Sequence, residues 1–178
     1  SDSTRVATFQ LGRENGGGPH DLLSKAVDLG NAHGLTHDVK KKDGWQNLGT
    51  YNRYQAEEFG RFVSKLKNTN EPEGEGNMLD NTFAMHGSAS SSFHLSRNYP
   101  IISAGGKNLG FANGRYLNYV GFREDGNLPG AGVISDAGWR SQVAEEEPPL
   151  AKLFVSILQR LGVETDSFAG YTGTLARV

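Results

Sequence analysis

The sequence predicts an α/β domain with a partial, mostly parallel sheet, flanking helices and long Gly-rich loops. Three observations predict it. Short apolar segments closed by glycine read as buried strands. Two amphipathic segments at helical spacing alternate with them. Glycine supplies 24 of the 178 residues, well above ordinary usage, which points to many turns and long loops. Strands alternating with helices suggest layers over a mostly parallel sheet. The length suits one domain, so residues 1–178 read as a single unit.

The first strand is expected over residues 5–11 (RVATFQL), stopped by Gly12. A polar, Gly-rich stretch then runs to about Gly49 and carries His20, His33 and His37. A stretch that long without structure is uncommon in a domain and points to function or to a bound partner. Residues 22–29 suit one short helix within it. Thr50 reads as the N-cap of the next helix. Tyr51, Tyr54, Phe59, Phe62, Val63 and Leu66 share one of its faces, and Arg53, Glu57, Arg61 and Lys65 line the other at i,i+4 spacing. That helix should stop near Lys67, before the acidic loop NTNEPEGEGN.

Further strands are expected over residues 81–85 and 99–104, the second closed by Gly105-Gly106. A Ser-rich loop leads from the first of them to His94. Residues 107–147 read as loop with at most short strands. Pro148-Pro149 opens a second helix, with Leu150, Leu153, Phe154, Ile157, Leu158 and Leu161 as its apolar stripe and Gly162 in the C′ position. Residues 166–175 form a tail that docks or frays.

Bulk chemistry excludes several functions. The net charge is −2 and the pI about 6.2, so there is no basic field for nucleic acid or an anionic membrane. No apolar run approaches the ~20 residues needed to span a bilayer. The absence of cysteine removes disulfides, thiolate metal sites and a thiol nucleophile. A hydrophobic content of 36% allows a core, though a lean one.

The histidines are the chemical signal. His33 and His37 share a face one turn apart if the segment is helical, close enough for one metal ion, and Asp38 adds an oxygen ligand. The bland alternative is a pair of surface or hydrogen-bonded histidines, because H-x-x-x-H is a frequent accident. His86 and His94 flank the Ser-rich loop after a strand, where α/β proteins bind ligands, and could converge on the His33/His37 loop. Their bland reading is a strand cap and a solvent-facing loop residue. No G-x-S-x-G elbow accompanies the serines, and Gly105-Gly106-Lys107 lacks the rest of a phosphate loop. Trp45, Tyr116, Tyr119 and Trp139 are candidate interface anchors, or ordinary packing aromatics.

Several blocks occur in a recognisable order. They are Thr4-Arg5-Val6 with Leu11-Gly12-Arg13-Glu14, residues 31–38, Tyr54 with Glu58-Phe59, Met78-Leu79-Asp80-Asn81-Thr82, His86-Gly87-Ser88, residues 100–106, the helix over 150–162, and Asp166-Ser167-Phe168 with Thr172-Gly173. In this order they resemble the C-terminal portion of a bacterial exported family, domain of unknown function 1552, which looks related to the alkaline-phosphatase/sulfatase-like superfamily. Family members are more than twice this length. The resemblance implies an alkaline-phosphatase/sulfatase-like fold, an exported or periplasmic location, and a chain that is the C-terminal part of a longer domain. It also implies an eroded ligand set. Ala32 and Asp38 stand where the family's first loop carries further histidines, and the loop after Gly87-Ser88 keeps His94 but not the Asp or the second His.

The leading expectation is therefore a non-catalytic structural or accessory subunit of a larger cell-envelope assembly, without a cofactor. Its partners would be other protein subunits, a membrane-associated complex among them, and not nucleic acid. The alternative is a metal-dependent phosphate or sulfate ester hydrolase. It would hold one Zn²⁺ or similar divalent ion on His33, His37, Asp38, His86 and His94.

Overall fold

A computed structural model describes residues 5–10, 26–88, 99–117 and 150–175. The chain divides into two compact units, Ser1–Phe62 and Val63–Val178.

In the first unit, residues 5–10 are extended but belong to no strand, and Val6 and Phe9 are 74% and 85% exposed. The β-branched pattern that predicted a buried strand is present, but no partner strand satisfies it among the described residues. Half of the expected helix over residues 22–29 falls outside them, and of 26–29 only Ala26 is helical. The part of the polar stretch among the described residues, 26–49, is largely structured. It contains helix α1 (Ala32–His37), a single 3-10 turn (Asp38–Lys40) and the start of helix α2 (Gly44–Lys67). Asn31 caps α1: its Oδ1 accepts from the Gly34 amide at 2.6 Å, satisfying one of the first-turn N–H groups.

Helix α2 begins six residues before Thr50. Thr50 is interior, and its hydroxyl donates to the Gln46 carbonyl at 3.0 Å. Gly44 explains the earlier start. A Cβ there would lie 1.7 Å from the Asp38 carbonyl oxygen, so only glycine lets the turn close onto the helix. Of the predicted apolar face Tyr51 is buried and Phe62 is exposed. On the charged face Arg53 pairs with Glu57 at 2.7 Å, while Arg61 pairs with Glu58 at 2.6 Å rather than with Glu57.

In the second unit, strands β1 (Phe83–Gly87) and β2 (Ile101–Gly105) pair antiparallel, with Ala84 opposite Ala104 and His86 opposite Ile102. Strands β3 (Ser167–Phe168) and β4 (Tyr171–Thr172) form a second antiparallel pair. Each pair is a two-stranded sheet. No parallel pair occurs among the described residues, which overturns the predicted mostly parallel α/β sheet and, with it, the alkaline-phosphatase/sulfatase-like fold. The physical reason lies in the connection. Parallel neighbours need a crossover of a dozen or more residues, usually a helix. Residues 88–100 carry no apolar helical period to supply one. Both strands also start and end one or two residues later than expected.

Packing around β1–β2 rests on glycine and aromatics. Gly105 has φ +81°, and a Cβ on it would lie 2.2 Å from the Thr82 carbonyl oxygen. This close approach lets the Gly106 amide donate to the Leu79 carbonyl at 2.9 Å. Phe83 stacks on Phe111 with ring centroids 4.1 Å apart, and the Arg160 guanidinium lies 5.0 Å from the Phe111 centroid. Arg160 Nε also donates to the Gly110 carbonyl at 3.2 Å, which ties helix α3 (Leu150–Arg160) to the turn after β2.

Helix α3 ends as predicted. Val163 N donates to Leu158 O at 2.9 Å and Gly162 N to Gln159 O at 3.0 Å, the paired bonds of a Schellman motif around a left-handed Gly162. Its buried face differs from the predicted stripe: Ala151, Leu153, Val155 and Ser156 are buried, and Leu161 is exposed. The tail docks as the β3–β4 hairpin, with Phe168 5.2 Å from Phe154 of the predicted stripe, and beyond the hairpin the Leu175 amide donates to Ser156 Oγ at 2.8 Å, on a buried side of α3 that apolar spacing leaves out. Ala169 and Gly170 both have positive φ, as a two-residue type I′ connection requires.

Candidate functional site

Helix α1 is short, and one apolar residue orients it. Leu35 is buried. At 100° per residue, positions 33 and 37 each lie about 200° from position 35, on the opposite face. Burying Leu35 therefore turns both imidazoles away from the packed side. His33 is half-buried and His37 exposed.

The two rings meet. His33 Nε2 and His37 Nε2 are 3.0 Å apart, and the ring centroids 4.7 Å, with the planes inclined at 56°. This is an N–H···N hydrogen bond, one ring donating and the other accepting according to their tautomers. The surrounding bonds fix the backbone beneath them. Thr36 Oγ1 donates to the His33 carbonyl at 2.7 Å, and the Asp38 amide donates to the Gly34 carbonyl. Both the i,i+4 spacing and the capping Asn31 are visible in the sequence. Asn31 went unassigned because its role appears only once the helix start is placed.

Asp38 follows His37 directly, but its carboxylate is engaged elsewhere. Lys41 Nζ lies 2.7 Å from Asp38 Oδ1. Lys41 was not among the candidates, although an i,i+3 acid–base pair is a readable signal. The pair is largely exposed and worth under ~1 kcal/mol. It still gives the carboxylate a cation of its own. Among the described residues no group of three or more His, Cys, Asp or Glu side chains is placed to hold one metal ion.

His86 lies on β1 in the second unit, half-buried and opposite Ile102. His94 falls outside the described residues, as do Tyr119 and Trp139. Of the candidate anchors, Trp45 is the second residue of α2 and 67% exposed, and Tyr116 is 82% exposed. Among the described residues no helix is long and apolar enough to cross a membrane.

Comparison with protein-family models, with curated proteins and with solved structures finds no match to this chain.

Proposed function

We propose that this chain is a non-catalytic structural or accessory module that binds other protein subunits of a bacterial envelope assembly, on its exported side. The observation that carries the reading is the exposure of Trp45 and Tyr116, at 67% and 82%. Large aromatic side chains are the typical anchors of protein interfaces. They bury much area on a partner at little entropic cost. The non-catalytic part is supported by the ligand chemistry. Transferring a phosphoryl or sulfuryl group needs concentrated positive charge and a nucleophile. Position 32 is an alanine where the resembled family carries a histidine, and the Asp38 carboxylate is paired with Lys41. The location rests on the resemblance of the ordered blocks to the exported family.

The test is site-specific photocrosslinking in cells that make the protein. A photoreactive amino acid replaces Trp45, Tyr116 or, as a control, the exposed Glu164. Discrete adducts with the same protein from positions 45 and 116, and none from 164, are expected. Alanine at either aromatic should then weaken binding of that identified protein by about 2 kcal/mol, or roughly 30-fold. No adduct from either position overturns the reading.

A further inference from the structure

We propose that His33 and His37 form a two-imidazole chelate for a divalent transition-metal ion that prefers right-angled ligands, copper(II) or nickel(II), rather than a tetrahedral zinc site. The proposal is independent of the accessory reading, since such an ion could bind to a scaffold as readily as to an enzyme.

The argument starts from the two nitrogens. The two Nε2 atoms lie 3.0 Å apart, hydrogen-bonded to each other, on the side of α1 opposite the buried Leu35. Imidazole nitrogens bind these ions at ~2.0–2.1 Å. Two nitrogens 3.0 Å apart at that radius subtend about 94° at the ion. Adjacent positions of a square-planar or octahedral sphere subtend 90°, whereas tetrahedral ligands at the same radius would sit ~3.3–3.4 Å apart. The separation, set by the hydrogen bond between the rings, is thus already close to that of a cis pair in tetragonal coordination.

The ion replaces the hydrogen bond: the bridging proton moves to Nδ1 of its own ring, and both rings turn so that their Nε2 lone pairs meet at the cation. The backbone under the pair is already held by the Asn31 cap, the Thr36 hydroxyl and the burial of Leu35. Imidazole is a ligand suited to copper and nickel. No hard oxygen cage accompanies the pair among the described residues, which disfavours calcium or magnesium. With two protein ligands the rest of the sphere is open to water or to a donor from a partner, so the ion should exchange and yield to a chelator.

The experiment uses the full chain, stripped with EDTA and titrated separately with Cu²⁺, Ni²⁺ and Zn²⁺ by calorimetry. One ion per chain is expected, with Ni²⁺ binding at least as tightly as Zn²⁺. The Cu²⁺ form should give an axial electron-spin-resonance spectrum with hyperfine structure from two ring nitrogens. His37→Ala removes the second arm of the chelate and should weaken binding by about 100-fold. His33→Ala should do the same, and circular dichroism should show both variants folded. Metal should also raise the thermal midpoint of the unaltered chain and not of either variant, because only the folded form presents both nitrogens together. The proposal is overturned by an unchanged affinity in both variants, which places the ion on other histidines. Clear preference for Zn²⁺ over Ni²⁺, or no saturable binding of any of the three ions, also overturns it.

Discussion

Ser156 shows how a single polar residue can organise a helix that otherwise reads as apolar. It is 1% exposed. Its hydroxyl accepts from the Leu175 amide at 2.8 Å and lies 3.1 Å from the Lys152 carbonyl, within donating distance. This oxygen ties the end of the tail to α3, in addition to the Phe168–Phe154 contact. Ser156→Ala leaves the Leu175 amide without that acceptor and should cost about 1–2 kcal/mol in urea unfolding, with faster hydrogen exchange at Leu175. An unchanged midpoint and unchanged exchange would show that the hydroxyl does not hold the tail. Sequence reading missed this serine because it weighs apolar spacing, and a serine inside a helix carries no label for the side it faces. Gly162 was legible for the opposite reason: its role follows from local backbone conformation alone, and it ends α3 as expected.

At the scale of the element, helix α2 joins local charge chemistry to pH. The Arg61 guanidinium hydrogen-bonds Glu58 and holds its carboxyl below the usual carboxylate range; the Tyr54 hydroxyl adds to this. A carboxyl whose folded pKa is depressed contributes stability that is present above its unfolded value. That contribution is lost as pH falls through the lower folded value. Helicity of α2 should therefore decline on acidification below the ordinary carboxylate range. Glu58→Gln should flatten that part of the profile in far-ultraviolet circular dichroism; an identical acid limb would contradict the assignment. The end of α2 at Lys67 was legible from the acidic Pro/Gly loop that follows it. Its start was not, because Thr50 has the chemistry of a cap, while the feature that sets the true boundary is the tight approach of Gly44 to the Asp38 carbonyl. Strands β1 and β2 were legible as strands but not in their direction. A short apolar run looks alike in a parallel and an antiparallel pair, and only the connection distinguishes them.

For the whole molecule, the histidine signal was half legible. The i,i+4 spacing of His33 and His37 foretold two rings on one face, and they meet at 3.0 Å. Their hydrogen bond is also what the bland reading foresaw. Asp38 follows His37 in sequence, but Lys41 holds its carboxylate, a competition that ligand spacing does not reveal. The antiparallel pairs replace the layered sheet expected from the alternation of strands and helices, because that alternation says nothing about which strands become neighbours. What carries the proposed function is the exposure of Trp45 and Tyr116, together with a histidine pair beside which, among the described residues, no third metal ligand is placed. The most direct test of the non-catalytic claim is turnover. The purified chain, supplied in turn with Zn²⁺, Ni²⁺ and Cu²⁺, is assayed on aryl phosphate and aryl sulfate esters. The account predicts rates no higher than those of the same ions in buffer; metal-dependent turnover abolished by His37→Ala would contradict it.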